Sequence, residues 1–244
     1  MLHPSWKLDI DPPQPGSLNM QIDECRLKDA EEQFAPTTFL RFYQWDTPTV
    51  SLGRYQRPEL GANLQYCQDN GIPVVRRPTG GRAVLHGREL TYSVVSNDRR
   101  FFPLHSLDLT YQVIARALQY GLGRLGITSQ LAPGLRPTLR LSAGKAKLPC
   151  FASASRHELL VEGRKIAGSA QRRLRRSFLQ HGSIPLEIDV EAMALALGVS
   201  EQLIAKTMIS VSEAAGRPVS FNELAAALEE GFARLCGMGS RLRA

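Results

Sequence analysis

The chain has 244 residues, of which 43% are hydrophobic and 22% are charged, a composition typical of a soluble globular protein with one sizeable core. No apolar run is long enough to cross a bilayer, and residues 1–16 lack the apolar segment of a signal peptide, so we expect a cytoplasmic protein without membrane contact. The formal charge of +7 fits a solvated basic surface as well as an acidic partner. Helix-turn-helix, zinc-finger and RNP-type patterns are absent, so we do not expect nucleic-acid binding.

The four cysteines, at positions 25, 67, 150 and 236, show no CxxC spacing and no accompanying histidine cluster. The sequence therefore predicts neither a zinc site nor a disulfide framework, and we expect no metal and no cofactor. Cys25, Cys67 and Cys236 fall in helical patterns, where a free cysteine packs as a small hydrophobe. Cys150 falls in no such pattern.

The first hundred residues predict strands separated by short helices. Three segments rich in β-branched and aromatic residues are predicted strands: 6–10, 38–45 and 49–52. Two are predicted helices, 19–30 and 64–69, the second ending at Asn70-Gly71, where glycine suits a left-handed cap.

A glycine-rich turn follows a predicted strand at residues 73–77, and residues 90–96 are expected to be the hairpin partner of that strand. Leu90, Tyr92 and Val94 alternate with polar residues. This alternation predicts a sheet with one face packed against helices.

The remainder moves from strands to helices. Residues 106–123 are predicted as a helix, 131–149 as a loop, and 157–161 with 165–170 as a hairpin. Beyond Gly182, helices are expected at 190–197 and 224–235, the latter opened by a capping box at Ser220 and Glu223. The order predicts an α+β fold, with a catalytic domain at 1–185 and a small helical C-terminal part at 186–244.

The most informative motif runs from residue 76 to residue 86. Its predicted substrate-binding residues are Arg76, Arg77, Thr79, Gly80, Gly81, Arg82 and His86. Glycines allow a ligand to approach the backbone, and arginines supply positive charge beside it. GxxxxGK[ST] and GxGxxG are absent, which excludes a Walker loop and a Rossmann fingerprint. From the residues alone, an ordinary turn and a site for an acidic or phosphate-bearing acyl carrier are both open.

Two other positions suit acyl-transfer chemistry. Cys150 follows two lysines in Gly144-Lys145-Ala146-Lys147, where a thiolate would be stabilised, although a thiol packed under the loop fits the pattern as well. Lys165 precedes Gly168, Ser169 and Ala170, whose small side chains leave room for a ligand chain. A lysine on a strand is usually solvated; an inward ammonium would instead polarise a thioester carbonyl.

Basic and imidazole side chains follow this strand. Arg172, Arg173, Arg175 and Arg176 are either solvated or dock an acidic carrier, and His181 is expected to be a satisfied core histidine.

Together these segments resemble the lipoate/octanoate transferase family of the biotin/lipoate A/B protein ligase superfamily, over most of the chain. The resemblance rests on Asn19-Met20 with Asp23-Glu24, on Trp45 and Ser51-Leu52-Gly53-Arg54-Tyr55-Gln56, on the glycine turn and on 165–171. Arg82 stands where ATP-using ligases typically have a third glycine, and such ligases typically lack a counterpart of Cys150. Residues 150–159, Glu162-Gly163-Arg164-Lys165 and Thr91-Tyr92-Ser93-Val94-Val95 resemble the cysteine-dependent, LipM-type octanoyltransferases. Gly87 departs from that pattern, because an acidic residue is common after the histidine.

The resemblance implies a mixed, largely antiparallel sheet flanked by helices, of the biotin/lipoate protein ligase catalytic-domain type. It implies that Cys150 is a nucleophile, that Lys165 is its partner lysine, and that an octanoyl group moves from octanoyl-acyl carrier protein to a lysine of a lipoyl domain such as glycine cleavage protein H. A monomer acting in lipoate biosynthesis is expected.

Three alternatives stay open at this point. The chain could be an ATP-dependent lipoate–protein ligase, an amidotransferase between two lipoyl domains, or an inactive family member that binds lipoyl domains or nucleic acid. Cys150 and Lys165 argue against the last of these.

Overall fold

In the computed structural model, residues 1–132 and 158–241 are described, with side chains to residue 237. Seven strands form the main sheet in the order β1-β2-β6-β10-β9-β8-β7, in which β1 and β2 are parallel and all other neighbours antiparallel. Their bounds are β1 Trp6–Ile10, β2 Thr38–Tyr43, β6 Glu89–Ser96, β7 Gln130–Leu131, β8 Leu159–Val161, β9 Arg164–Arg173 and β10 Phe178–Pro185.

A second, small sheet has the order β4-β3-β5, with bounds β3 Thr49–Leu52, β4 Val74–Arg76 and β5 Val84–His86. β4 is parallel to β3, and β5 is antiparallel to it. The predicted hairpin between residues 73–77 and 90–96 is therefore wrong. The short segment Val84–His86 takes the antiparallel position beside β3, and the following strand β6 lies in the main sheet between β2 and β10.

The described helices are α1 Gly16–Glu32, α2 Pro58–Gly61, α3 Leu64–Asp69, α4 Leu107–Arg124, α5 Val190–Leu197, α6 Glu201–Thr207, α7 Val211–Ala215 and α8 Phe221–Arg241. Predicted end signals account for several of these bounds. Gly198 closes α5 in the left-handed region at φ 65°, and the Ser220 hydroxyl accepts from the Glu223 amide at the start of α8. None of the described helices combines the length and apolar character needed to cross a bilayer.

Both faces of the main sheet are covered. Helices α4 and α8 pack against each other over one face, where Leu90, Tyr92 and Val94 join the largest apolar cluster. Helix α1 packs on the opposite face, and every residue of β6 is buried. The face that carries Leu90, Tyr92 and Val94 packs against helices as predicted, and the polar residues that alternate along β6 face a second covered layer instead of solvent.

The α+β class with a largely antiparallel sheet is confirmed. Cys67 and Cys236 are buried as predicted, but Cys25 is exposed on α1. β10 was not predicted, although it lies at the centre of the main sheet. From residue 133 onward, the predicted loop lies outside the described residues, as does Cys150.

Candidate active site

A narrow cavity lies between the main sheet and the small sheet, with about 440 Å³ of atom-free space when the open solvent at its mouth is included. The main sheet and the segment after β2 contribute Tyr43, Trp45, Thr91, Lys165, Gly168, Ser169, Ala170, His181, Gly182 and Ser183. The other side is formed by Met20, Ser51, Arg77, Val84 and His86. Apolar and small residues thus surround a few convergent polar groups, which is the usual character of a ligand site.

The cavity brings together half of the predicted site residues. Lys165, Arg77, His86 and the small residues of β9 (Gly168, Ser169 and Ala170) all line it. The Ser169 hydroxyl, however, is hydrogen-bonded to the Tyr92 hydroxyl at 2.7 Å. Five predicted residues are not among the described lining residues: Arg76, Thr79, Gly80, Gly81 and Arg82.

Lys165 places an ammonium group in the wall of this cavity. Its side chain is only 3% exposed, and its Nζ donates to Glu158 Oε1 at 2.5 Å. The hairpin that carries it turns at Glu162 and Gly163, both at positive φ (51° and 77°), which glycine adopts readily and which matches the twist of the two strands. Since Glu158 is itself buried, the pair is charge-compensated inside the protein.

The two arginines before the glycine turn hold backbone in place. Arg76 Nη1 donates to the carbonyls of Gly53, Arg54 and Gln56, at 2.8–3.0 Å. Arg77 donates to the carbonyls of Ser51, Gly80 and Arg82. The turn passes so close to Gly53 that a Cβ there would lie 1.9 Å from the Gly81 carbonyl oxygen. Arg77 therefore holds the glycine turn, and Arg76 holds the segment 53–56 against which the turn packs.

His181 joins the glycine turn to the main sheet. Its Nε2 lies 2.7 Å from Thr79 Oγ1, and its Nδ1 lies 2.9 Å from Asp23 Oδ2 on α1. Burial lowers the pKa of His181 below its ordinary value, and Arg77 and His86 add to this effect against the opposing Asp23. His181 is thus a hydrogen-bonded buried histidine, as predicted, and also a lining residue of the cavity.

Asp23 is held ionised by a buried cluster. Burial would raise its pKa, but His181, Arg41 and Ser93 outweigh burial and lower it. Arg41 Nη1 lies 3.2 Å from Asp23 Oδ1, Arg41 Nε lies 2.6 Å from Asp11 Oδ2, and neither Arg41 nor Asp23 is exposed.

Replacement of Arg41 by methionine is expected to lower the free energy of unfolding by about 3–5 kcal/mol, because it leaves the buried Asp23 carboxylate without its cation. Denaturant titration measures this loss. Arg26→Met is the matched control: Arg26 pairs with the half-exposed Asp9, and its removal should cost about 1 kcal/mol or less. Equal losses in the two variants would contradict the role given to Arg41.

The lowered pKa of His181 predicts a pH dependence of stability. The unfolded chain gains this proton near pH 6.5, whereas the folded chain does not. The free energy of unfolding should therefore fall as pH drops below 6.5, by up to about 1.4 kcal/mol per pH unit from this residue. In His181→Asn, denaturant titrations below pH 6.5 should show a shallower fall in the free energy of unfolding. If the free energy fell as steeply as in the unaltered protein, His181 would not be the source of this pH dependence.

A second histidine, His86, lies in a similar arrangement on the other side of the cavity. Its Nε2 is 2.7 Å from Ser51 Oγ, and its Nδ1 is 2.9 Å from Glu89 Oε1. The carboxylate partner is Glu89 and not residue 87, where the sequence has glycine. Sequence reasoning missed Ser51 and Glu89. The sequence does carry a signal for Glu89: the polar residues Glu89, Thr91 and Ser93 alternate along β6, and they lie in a covered polar layer of the structure.

The arginines at 172–176 are largely engaged with neighbouring elements. Arg172 pairs with Glu24 at 3.2 Å, Arg173 donates to the Leu104 carbonyl, and Arg176 bonds to Glu31 on α1. Arg175 is exposed. Among the described side chains, no group of three or more His, Cys, Asp and Glu residues is placed to hold a metal ion.

Solved structures with a similar architecture include two lipoate protein ligases. A putative lipoate protein ligase from T. acidophilum with bound lipoic acid superposes with a TM-score of 0.74 at 23% identity, covering 94% of this chain and 83% of that one. A lipoate-protein ligase A bound with ATP gives 0.72 at 24% identity, covering 95% and 85%. At these identities, the likeness establishes a lipoate ligase-type catalytic fold.

The family follows from the sequence comparison. Residues 15–233 match the lipoyl protein ligase A/B catalytic domain, and this chain belongs to that family. Curated relatives named octanoyltransferase LipM include those of Symbiobacterium thermophilum, at 40% identity over 96% of this chain and 87% of the relative, and Brevibacillus brevis, at 38% over 93% and 86%. A third, from Exiguobacterium, is 41% identical over 88% of this chain and 80% of its own.

Proposed function

We propose that this protein transfers an octanoyl group from octanoyl-acyl carrier protein to a lysine of a lipoyl domain, such as that of glycine cleavage protein H, through a thioester on Cys150. The protein is an acyltransferase, an octanoyltransferase of lipoate biosynthesis, in line with its curated relatives. The finer assignment of donor, acceptor and intermediate is the proposal.

The observation that carries the proposal is the buried Lys165 ammonium in a narrow, mostly apolar cavity. The apolar and small lining residues suit an acyl chain, and the ammonium suits the negative charge that develops on a thioester oxygen or a thiolate. Lys165 therefore supplies electrostatic stabilisation at the place where an acyl carbon would react.

The proposed reaction has two steps. The Cys150 thiolate attacks the carrier thioester, a new carbon–sulfur bond forms, and the carrier thiolate leaves with its electron pair. A neutral lysine amine of the lipoyl domain then attacks the acyl-cysteine and forms an amide. Exchange of one thioester for another is nearly balanced, and amide formation from a thioester runs downhill, so the sequence of steps needs neither ATP nor a cofactor.

The proposal includes the partners expected from the sequence. An acidic carrier fits a chain with a formal charge of +7, with exposed Arg175 as one contributing group. We infer a monomer that acts in the cytoplasm and binds neither nucleic acid nor membrane.

Intact-mass measurement tests this proposal against its alternatives. Protein incubated with octanoyl-acyl carrier protein and no ATP should gain one octanoyl group and pass it to an added lipoyl domain. Transfer of free lipoate or octanoate that requires ATP, without any adduct, would establish a ligase instead. An adduct formed from an octanoylated lipoyl domain but not from the carrier would establish an amidotransferase.

A further inference from the structure

Three side chains in the cavity wall form one hydrogen-bonded line that the two-step transfer described above does not use. Ser51 Oγ lies 2.7 Å from His86 Nε2, and His86 Nδ1 lies 2.9 Å from Glu89 Oε1. In such a line, a carboxylate orients an imidazole, and the imidazole accepts the proton of a hydroxyl.

Ser51 is fully buried in this structure, but it lines the narrow cavity and is the member of the line with a hydroxyl facing a substrate that enters there. When His86 carries its ring proton on Nδ1, toward the Glu89 carboxylate, the Ser51 hydroxyl donates to His86 Nε2; it also accepts from Arg77 Nη1 at 3.1 Å. A hydroxyl oxygen has two lone pairs, so these bonds leave one lone pair for a further donor. Because Ser51 lines the same cavity as Lys165, that donor can be a group that enters to react there.

The other two members are fixed in orientation. The Trp45 ring stacks on His86 with centroids 3.9 Å apart and planes 12° apart, and Trp45 Nε1 donates to Thr91 Oγ1. Glu89 also accepts from the Thr91 and Ser183 hydroxyls. Burial would raise the pKa of Glu89, but His86 and these hydrogen bonds outweigh it and keep the pKa below its ordinary value, so the carboxylate is ionised.

The line crosses the wall between two cavities. Ser51 lines the narrow cavity, Glu89 lines a wider one of about 1360 Å³ empty volume, and His86 lines both. A proton taken up at Ser51 therefore has a route toward a space wide enough for solvent.

We propose that Ser51, His86 and Glu89 form a proton relay for the amide-forming step, with a primary amine as the group that contacts Ser51. This inference rests on the proposed function. As the amine nitrogen bonds to the acyl carbon, the carbon–sulfur bond breaks and the sulfur leaves with its electron pair as thiolate. Ser51 takes one proton from the nitrogen and gives its own to His86 Nε2. The imidazolium is stabilised by Glu89 until water accepts the proton.

The relay predicts that its loss affects one half-reaction and not the other. In Ser51→Ala, octanoyl adduct formation from the carrier should stay within about twofold of the unaltered protein, whereas single-turnover transfer from the adduct to a lipoyl domain should slow by about 100-fold, the usual contribution of a general base. Hydroxylamine, which is neutral at neutral pH and cleaves thioesters without a base, should discharge both adducts at similar rates.

Two further variants separate the relay from a structural effect. Ser51→Thr keeps the hydroxyl and should restore transfer to within about tenfold. Ser96→Ala removes a buried serine hydroxyl elsewhere on the main sheet, bonded to Thr38, and should leave both half-reactions unchanged. Unchanged transfer in Ser51→Ala, or equal slowing of adduct formation, lysine transfer and hydroxylamine discharge, would overturn the relay.

The proposed function can fail separately. If the unaltered protein never acquires an octanoyl adduct, the cysteine intermediate is wrong. The steady-state rate of lipoyl-domain acylation then decides on the relay, and an unchanged rate in Ser51→Ala would overturn it.

Discussion

A Cys150→Ala variant is expected to form no octanoyl adduct and to lose transferase activity by on the order of 10³-fold or more, because no other nucleophile is assigned to attack the carrier thioester. Intact-mass spectrometry after incubation with octanoyl-acyl carrier protein measures the adduct. A quantitative assay of lipoyl-domain octanoylation measures the activity.

The matched control for this variant is Cys25→Ala. Cys25 is a free, exposed cysteine on α1 and does not line the cavity, so its removal should change neither the adduct nor the rate. Full activity in Cys150→Ala, particularly activity that requires ATP, would replace the covalent mechanism with adenylate chemistry.

A Lys165→Gln variant is expected to form the adduct about 10²–10³-fold more slowly, because the amide keeps a donor toward Glu158 but removes the positive charge that we propose stabilises the thiolate and the developing oxyanion. The rate of adduct formation under single-turnover conditions measures the effect. Because the variant leaves the buried Glu158 carboxylate without its cation, its free energy of unfolding should fall by up to about 3–5 kcal/mol, so circular dichroism before the assay verifies that the protein assayed is folded.

Lys206→Gln provides the comparison, because Lys206 is exposed at the end of α6 and away from the cavity lining. It should react like the unaltered protein. If Lys165→Gln acquired the octanoyl group at the unaltered rate, Lys165 would have no part in the chemistry, and its ion pair with Glu158 would be purely structural.

Local sequence signals predicted the secondary structure well where they were strong. Gly198, Ser106 and Ser220 mark helix ends through their backbone and capping chemistry, and each lies at the predicted end. The hairpin at Glu162-Gly163 was similarly encoded by its turn residues. Strand pairing was harder to predict. The three residues of β5 are too few to show a periodicity, and they pair with β3, whereas residues 90–96 lie in the main sheet and not beside residues 73–77.

The residue types of the candidate site could be predicted from the sequence, but most of the hydrogen bonds and ion pairs between these residues could not. Lys165 and the small residues after it suggested a ligand-facing strand, and they line the cavity. The role of Arg76 depends on carbonyls at least 20 positions away in the chain, such as that of Gly53, and Arg77 reaches the Ser51 carbonyl, 26 positions away, besides two carbonyls of the turn itself. The Asp23–His181 pair spans 158 positions, a separation that no local pattern can show.

The central claim, that Cys150 carries the octanoyl group on its way to the lipoyl domain, is tested most directly by isolating the acylated protein and mixing it with lipoyl domain alone. Without carrier and without ATP, the octanoyl group should leave Cys150 and appear on the domain lysine at least as fast as the complete reaction turns over. An adduct that persists while the complete reaction acylates the domain would contradict the claim.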